Sequence, residues 1–230
     1  SLARVEGTLD ITVNSVLHTL ALTELDYVGS LEITDNPMLC QATVQDFVDG
    51  GLIIGDGGAV PGGNGDSCSD CTKDFVVTDG ATLDELGNCS EVNGSVNITG
   101  TDFTDLFALS GLNKVTGNLV LANNSEMTDL SGLANLTHVG GLLITDLDTL
   151  TTVAGLSNLE EVTNDLTINS NDLLTSLAAL SGLASVGGAL QVTNNDALCQ
   201  QTAQTFADLV SASTVTVSSN TGDCGGDCSP

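Results

Sequence analysis

Hydrophobic and polar positions alternate in a phrase that recurs between Leu112 and Leu198. Its inner aliphatic residue is spaced by 23, 23, 24 and 24 residues, in the series Val96, Leu119, Leu142, Leu166 and Leu190. Alternation with a period of two, as in Leu166-Thr167-Ile168, predicts a short half-buried strand, and leucines spaced by three predict the turn that follows. Repetition at this period predicts stacked coils of 22 to 24 residues.

A glycine precedes the strand in four coils, at Gly94, Gly117, Gly141 and Gly188. Such a corner either excludes a side chain or requires a positive φ, and glycine suits both. Asn164 takes this place in a fifth coil, and asparagine tolerates positive φ better than most residues. The sequence leaves both explanations open.

A second recurrent position lies three residues after the second inward residue of the strand. It holds asparagine in most coils, with Thr101 and Leu147 as departures, and the series is Asn14, Asn36, Asn124, Asn171 and Asn195. Side-chain amides both donate and accept hydrogen bonds, so stacked asparagines can satisfy backbone groups that the strands do not reach. We interpret the series as a structural ladder; the alternative is an amide row that binds a ligand.

Two similar segments predict short amphipathic helices that cap the coils. CQATVQDFVDGG follows Leu39 and CQQTAQTFADLV follows Leu198, and in the second segment Ala203, Phe206, Leu209 and Val210 form the expected apolar face. A glycine-rich stretch separates the first cap from residues 72–91, which predict an opening cap with a strand at 75–77 and a capping box over Thr82–Glu85. A last strand is predicted at residues 215–217.

Seven cysteines predict three disulfides and one remaining thiol. Aligning the two closing caps pairs Cys40 with Cys68 and Cys199 with Cys224, and Cys71 and Cys89 bracket the opening cap. Zinc is the competing interpretation of the CxxC at 68–71, but no second close pair or nearby histidine accompanies it. Cys228 is left unpaired, either for a partner further along the chain or for an intermolecular bridge. Three disulfides predict a location outside the cytosol.

The charge of the chain excludes nucleic acid as a partner. Three basic and 30 acidic residues among 230 give a formal net charge of −27 at pH 7, which repels phosphate backbones and anionic membranes. We interpret the charge as a means of solubility in salt; binding of calcium or a cationic partner is the alternative. No cofactor is predicted, and any calcium binding is expected to be weak and non-specific because no calcium-loop pattern occurs. No apolar run approaches the roughly 20 residues of a membrane helix, so no membrane insertion is expected in this segment.

Catalytic chemistry has few candidate residues. The basic residues are Arg4, Lys73 and Lys114, and the histidines are His18 and His138, far apart in the sequence. We therefore predict that the protein is not an enzyme and has no catalytic, cofactor-binding or metal site. Outward threonines suggest an ice-binding row as a weaker alternative, but Ala122 and Asn169 interrupt the series Thr12, Thr34, Thr99, Thr145 and Thr193.

The opening cap with Cys71 and NCSEVNGSVNIT, the coils and the closing LCQ helix together resemble the receptor L domain. This leucine-rich-repeat-like β-helix occurs in the insulin and epidermal growth factor receptors, and similar domains occur in bacterial surface proteins, the type that this chain resembles most. The resemblance implies a mainly β, right-handed parallel β-helix or solenoid with short capping helices. It also implies binding or adhesion without a catalytic centre, and it transfers no binding residue.

On this resemblance, residues 1–68 are the C-terminal part of one L-like domain with its closing cap and glycine-rich loop. Residues 69–224 are a complete L-like domain, and residues 225–230 begin a linker or a further domain. The start in mid-coil at Ser1 and the unpaired Cys228 suggest that the array continues beyond both ends. We expect an extracellular or cell-surface module that is structural or adhesive, in an array or self-assembling fibre. Its partners would be its own ends or neighbouring L-like domains. The alternative is a receptor-like domain that binds a soluble protein or glycan.

Overall fold

A computed structural model describes residues 4–12, 26–34, 53–54, 59–62 and 71–224. The chain forms two compact units, Ser1–Asp70 and Cys71–Pro230. The predicted division at residues 68 and 224, and the identity of the domains, stay predictions. In both units the described strands pair in parallel.

The first unit contains four described strands: β1 (Arg4–Thr12), β2 (Tyr27–Thr34), β3 (Ile53–Ile54) and β4 (Ala59–Gly62). Strand β2 is central, because β1, β3 and β4 all pair with it in parallel. Leu9 lies opposite Leu31, and Ile11 lies opposite Ile33. The inward side chains of β2 are buried, so the predicted alternation places the core of this unit correctly.

The second unit has a nine-stranded parallel sheet. Its strands are β5 (Phe75–Val77), β6 (Glu91–Val92), β7 (Val96–Thr99), β8 (Lys114–Ala122), β9 (His138–Thr145), β10 (Glu161–Val162), β11 (Leu166–Asn169), β12 (Ser185–Thr193) and β13 (Ser211–Ser218). Seven of them form one ladder, in which the register joins Phe75, Val96, Leu119, Leu142, Leu166, Leu190 and Val215 in that order. The strand predicted within the opening cap and the last strand predicted after the closing cap are therefore both rungs of the same sheet.

Inward side chains of the strands form continuous buried files. Leu166 and Ile168 are fully buried on β11, and Thr167 between them is directed outward, as the period-two alternation predicts. Short 3₁₀ helices bring the chain back at Phe107–Leu109, Ser131–Leu133, Ala154–Leu156 and Ala178–Gly182. Their last leucines are buried against the strands, so this core consists almost wholly of aliphatic side chains.

The glycine corners are explained by space and not by φ. A Cβ atom on Gly94 would lie 2.3 Å from the carbonyl oxygen of Lys73, and one on Gly188 would lie 2.1 Å from Oδ1 of Asp165. Among the described glycines only Gly100 has a positive φ, and it directly follows β7. The left-handed turns lie after the strands, with φ between 52° and 67°, at Gly100, Asn123, Asp146, Ser170, Asn194 and Ser219.

Two α-helices flank the coils of the second unit. The opening helix, Gly80–Gly87, begins earlier than predicted: its N-cap is Asp79, and Thr82, the third residue of the helix, completes the capping box. The Thr82 N–H donates to Asp79 Oδ1 at 2.9 Å and holds the pKa of that carboxyl below its usual value.

The closing helix, Gln200–Leu209, buries Ala203, Phe206 and Ala207 against the last coil. Leu209, predicted to join this apolar face, is instead 73% exposed. The helix is thus amphipathic as expected, but Ala207 takes the place of Leu209 in its buried face, beside the likewise buried Val210.

Candidate functional site

The asparagine ladder runs along one edge of the stacked coils. Asn124, Asn171 and Asn195 are fully buried. The Asn171 side chain donates to the carbonyl oxygen of Ile144 at 3.1 Å, and Asn195 donates to that of Ile168 at 3.2 Å. Each amide therefore satisfies a strand carbonyl of the preceding rung.

The amide oxygens in the ladder accept from backbone N–H groups one coil away. Asn195 Oδ1 accepts from the Asn171 N–H at 3.0 Å, and Asn171 Oδ1 accepts from the Leu147 N–H at 3.2 Å. Asn124 Oδ1 accepts from the N–H and the hydroxyl of Thr101, at 2.9 and 2.8 Å. Among the described residues no buried side-chain nitrogen or oxygen lacks a partner, so these amides bind the protein itself.

The sequence pattern did not predict two members of the ladder, Asn220 and Gln200. Asn220 is 4% exposed, accepts from the Asn195 N–H at 3.2 Å and donates to Val192 at 2.9 Å. Gln200, on the closing helix, then accepts from the Asn220 N–H at 3.2 Å and donates to the Val217 carbonyl at 3.0 Å. The spacing of 25 residues between Asn195 and Asn220 is the available signal, but the sequence predicts residues 215–217 only as a last strand after the closing cap and not as a further coil.

The solvent-facing side of the sheet is a candidate binding surface in the described part of the chain. One outward row contains Val76, Asn97, Val120, Leu143, Thr167, Gln191 and Thr216, which mixes aliphatic and polar side chains. The row next to it is Thr99, Ala122, Thr145, Asn169, Thr193 and Ser218.

The polar side chains of that second row bind one another. The Thr193 hydroxyl donates to Asn169 Oδ1 at 2.9 Å, and Asn169 Nδ2 donates to the Thr145 hydroxyl at 3.3 Å. Ala122 and Asn169 interrupt the threonines in the sheet as they do in the sequence. The row is therefore a bonded network between rungs and not a uniform file of free hydroxyls.

The open cavities on the described part of the second unit include the following two. The first, about 340 Å³, is a groove on the outward sheet face between the Asn118, Leu143 and Asp165 side chains. Asp165 is already engaged there, because its Oδ1 accepts from the Ala189 N–H at 2.7 Å. The second, about 370 Å³, is mainly apolar and lies between the closing helix and the last 3₁₀ helix, where Leu177 and Leu209 contribute to its lining.

The basic side chains described by the structure are paired with carboxylates. Lys73 lies 2.6 Å from Glu85, and Lys114 lies 2.9 Å from Glu91. His138 lies 3.7 Å from Glu161 near the start of β9. In the described ranges no three histidine, cysteine or acidic residues are grouped to hold a metal ion. The expectations of no enzyme activity and no cofactor stay predictions.

Two disulfides stabilise the ends of the second unit. Cys71 is bonded to Cys89 across the opening cap with a Cα–Cα distance of 5.9 Å, and Cys199 is bonded to Cys224 across the closing cap at 5.1 Å. Both pairs are among those expected from the sequence. The predictions for Cys40, Cys68, Cys228, Asn14 and Asn36 lie outside the described residues. Of the helices that are described, none is long and apolar enough to cross a membrane.

Comparison with known proteins confirms the resemblance noted in the sequence. Residues 88–146, from the end of the opening helix to the turn after β9, match the family described as receptor L domain. The match lies wholly within the second unit and covers about a quarter of the chain. No curated protein matches the chain.

A crystal structure of an internalin from Listeria monocytogenes is similar at 15% identity. The alignment covers 96% of this chain and 83% of the internalin, with a TM-score of 0.20. At so low a score the two folds do not superpose as a whole, and the likeness supports no functional argument.

Proposed function

We propose that the chain is an extracellular structural or adhesive repeat module that works in an array or a self-assembling fibre. Its partners would be its own ends or neighbouring L-like domains. The observation that carries this proposal is the parallel ladder from Phe75 to Val215, because each rung of such a stack is completed by the next one. The L-domain match over residues 88–146 supports the same class of role.

The finer geometry in this proposal is a right-handed solenoid with coils of 22 to 24 residues. Register pairs such as Leu119 with Leu142, and Leu166 with Leu190, support the coil length. The hand is supported by a general rule, since crossover connections between parallel strands of one sheet are almost always right-handed. The two disulfides support an oxidising, extracellular location.

The proposal includes neither catalysis nor a cofactor. The absence of catalysis is supported by the ion pairs of Lys73 and Lys114, because each lysine is neutralised by a glutamate and is not available to assist a catalytic acid or base. Any binding of calcium would be weak and spread over the acidic surface. Titration calorimetry with calcium would show a single tight site if this part of the proposal were wrong.

Electron microscopy of the purified chain under non-reducing and reducing conditions tests the assembly. We expect ordered end-to-end assemblies or discrete oligomers under non-reducing conditions. Monomers under both conditions, together with a titratable thiol at Cys228, would reject the proposal.

A receptor-like domain that binds a soluble protein or glycan is the second candidate. It is favoured by the groove on the outward sheet face, where amide, carboxylate and aliphatic side chains meet beside Val120 and Leu143. This candidate predicts a monodisperse protein with a saturable partner. Val120→Arg would then abolish capture of that partner, whereas Thr216→Arg, on the same outward row but away from the groove, would leave it unchanged.

A further inference from the structure

Within the described residues, the sheet of the second unit ends on an eight-residue strand that lacks the usual protection of a sheet edge. In the described part of the chain β13 (Ser211–Ser218) pairs only with β12. Its sequence, SASTVTVS, contains no charged residue and no proline, although the chain carries 30 acidic residues. In natural proteins, charged residues, prolines or a short length commonly prevent an edge strand from pairing with another strand. An edge strand without these features can act as a template for such pairing.

Val215 occupies an inward position that one more strand would cover. The corresponding side chains on the five preceding rungs, from Val96 to Leu190, are at most 3% exposed, whereas Val215 is 45% exposed. The difference arises because each earlier rung is covered by its successor. The closing helix packs on the same coil but leaves nearly half of the Val215 side chain in solvent.

Backbone groups of Val215 are directed to the open edge. The Ser218 carbonyl accepts from the Asn194 N–H at 3.1 Å and therefore points toward β12. Successive residues of a strand direct their N–H and C=O groups to opposite sides, so those of Val217 and Val215 point away from β12. The Gln200 side chain donates to the Val217 carbonyl at 3.0 Å, so this edge carbonyl is already occupied. The backbone groups of Val215 remain available to another strand.

We propose that β13 pairs antiparallel with β13 of a second copy of this chain, about a two-fold axis at Val215. A two-fold contact uses the same patch on both copies, and antiparallel pairing is its form at a sheet edge. Val215 then lies opposite Val215 of the second copy, and the two residues exchange both N–H···O bonds. Thr214 lies opposite Thr216, so aliphatic and threonine pairs meet and no like charges face each other.

The charge of the protein makes this pairing dependent on salt. Two copies with a formal charge of −27 each repel one another, and β13 itself adds no charge to that repulsion. At roughly 0.01 M salt the Debye length is about 30 Å, and at 1 M it is about 3 Å. We therefore expect the dimer to be weak at low ionic strength and to strengthen as salt is added. The inference rests on the self-association in the proposed function and names one surface for it.

Sedimentation equilibrium of the full chain at low and high salt, with charge variants at Val215, tests the pairing. V215K and V215E alone would each place like charges opposite one another and weaken self-association by roughly tenfold or more. An equimolar mixture would regain it, because lysine then lies opposite glutamate. Leu173→Lys, at an aliphatic side chain of similar exposure that follows β11 and lies away from the edge strand, is the matched control and would leave association unchanged. Thermal melts by circular dichroism check that each variant folds, and Val215→Thr provides a milder substitution.

The possible outcomes separate this inference from the proposed function. Self-association that neither variant weakens, or that the mixture does not restore, would overturn pairing at Val215 and leave the assembling role intact. A wild-type chain that stays monomeric at every salt concentration would overturn both. Weakening by each variant with recovery in the mixture, at an unchanged melting temperature, would establish the two-fold pairing.

Discussion

The closing half of the second unit has a continuous asparagine ladder, and the opening half has an interrupted one. The members of the continuous ladder follow one another in the order Asn171, Asn195, Asn220 and Gln200. From Asn195 onward, each side-chain oxygen accepts a hydrogen bond from the backbone N–H of the preceding member of the ladder. Between Asn124 and Asn171 the position is Leu147, whose side chain is fully buried and offers no oxygen to Asn124. The fold is continuous through both halves.

The difference shows that the ladder position can be filled in two physical ways. An amide there satisfies backbone groups at the corner, which matters because an unpaired buried polar group is costly. An aliphatic side chain adds apolar burial instead. Leu147 still donates its own N–H to Asn171, so the interruption removes only the bonds toward the preceding rung. The two halves should therefore respond differently to loss of an amide.

The largest effect is expected for Asn195→Leu, in the continuous half. Its side-chain amide makes five hydrogen bonds. The oxygen accepts from the backbone N–H and the side chain of Asn171, and the nitrogen donates to the carbonyl oxygens of Ile168 and Thr193 and to the side chain of Asn220. Leucine has the same branched skeleton but leaves several of these buried groups unpaired, each worth about 1–3 kcal/mol. We expect a loss of about 3–5 kcal/mol in the free energy of unfolding, measured by urea denaturation. Asn93→Leu, at an exposed asparagine, is the control and should change it by less than about 0.5 kcal/mol.

Asn124→Leu, in the interrupted half, should have a smaller effect. Asn124 accepts from the two donors of Thr101 and gives one bond to Ile98, so fewer buried groups lose a partner. The expected loss is about 2 kcal/mol on the same denaturation scale. A loss equal to that of Asn195→Leu would contradict the contrast between the halves.

Gln200→Ala tests the end of the ladder and should cost about 1 kcal/mol. Its side chain is only partly buried, so water can replace the bonds to Asn220 and Val217 in part. The loss of protection at the Asn220 amide in hydrogen exchange is the sharper measurement. Unchanged exchange at Asn220 would show that the helix does not complete the ladder.

Leu147→Asn should give the smallest net change, because it would restore the missing amide at the expense of apolar burial. The two terms are of similar size, about 1–3 kcal/mol each, and oppose one another. We expect a change within about 1 kcal/mol of zero in urea denaturation, together with greater protection of the Asn124 amide. A loss as large as that of Asn195→Leu would mean that the buried leucine is needed for packing here.

Local pattern was enough to predict much of the second unit. Leu119, Leu142 and Leu166 lie in register as their spacing predicted, because burial of every second side chain is decided by residue type and strand period. The disulfide between Cys71 and Cys89 could also be predicted from the sequence, since both cysteines flank one short cap. The cap itself was misplaced by a turn, because Asp79 and Thr82 can each begin a capping box.

The sequence by itself determined the repeat, the inward files and the sites of most ladder asparagines, all of which depend on residue type at a fixed period. Only the tertiary structure decided that Asn220 and Gln200 complete the ladder, that glycines such as Gly188 are required by neighbouring atoms, and that Val215 is left uncovered. These features depend on contacts between residues 20 or more positions apart, as in the pairs of Gln200 with Asn220 and Leu190 with Val215. Such contacts exist only once the coils are stacked, because their partners come from different turns of the chain.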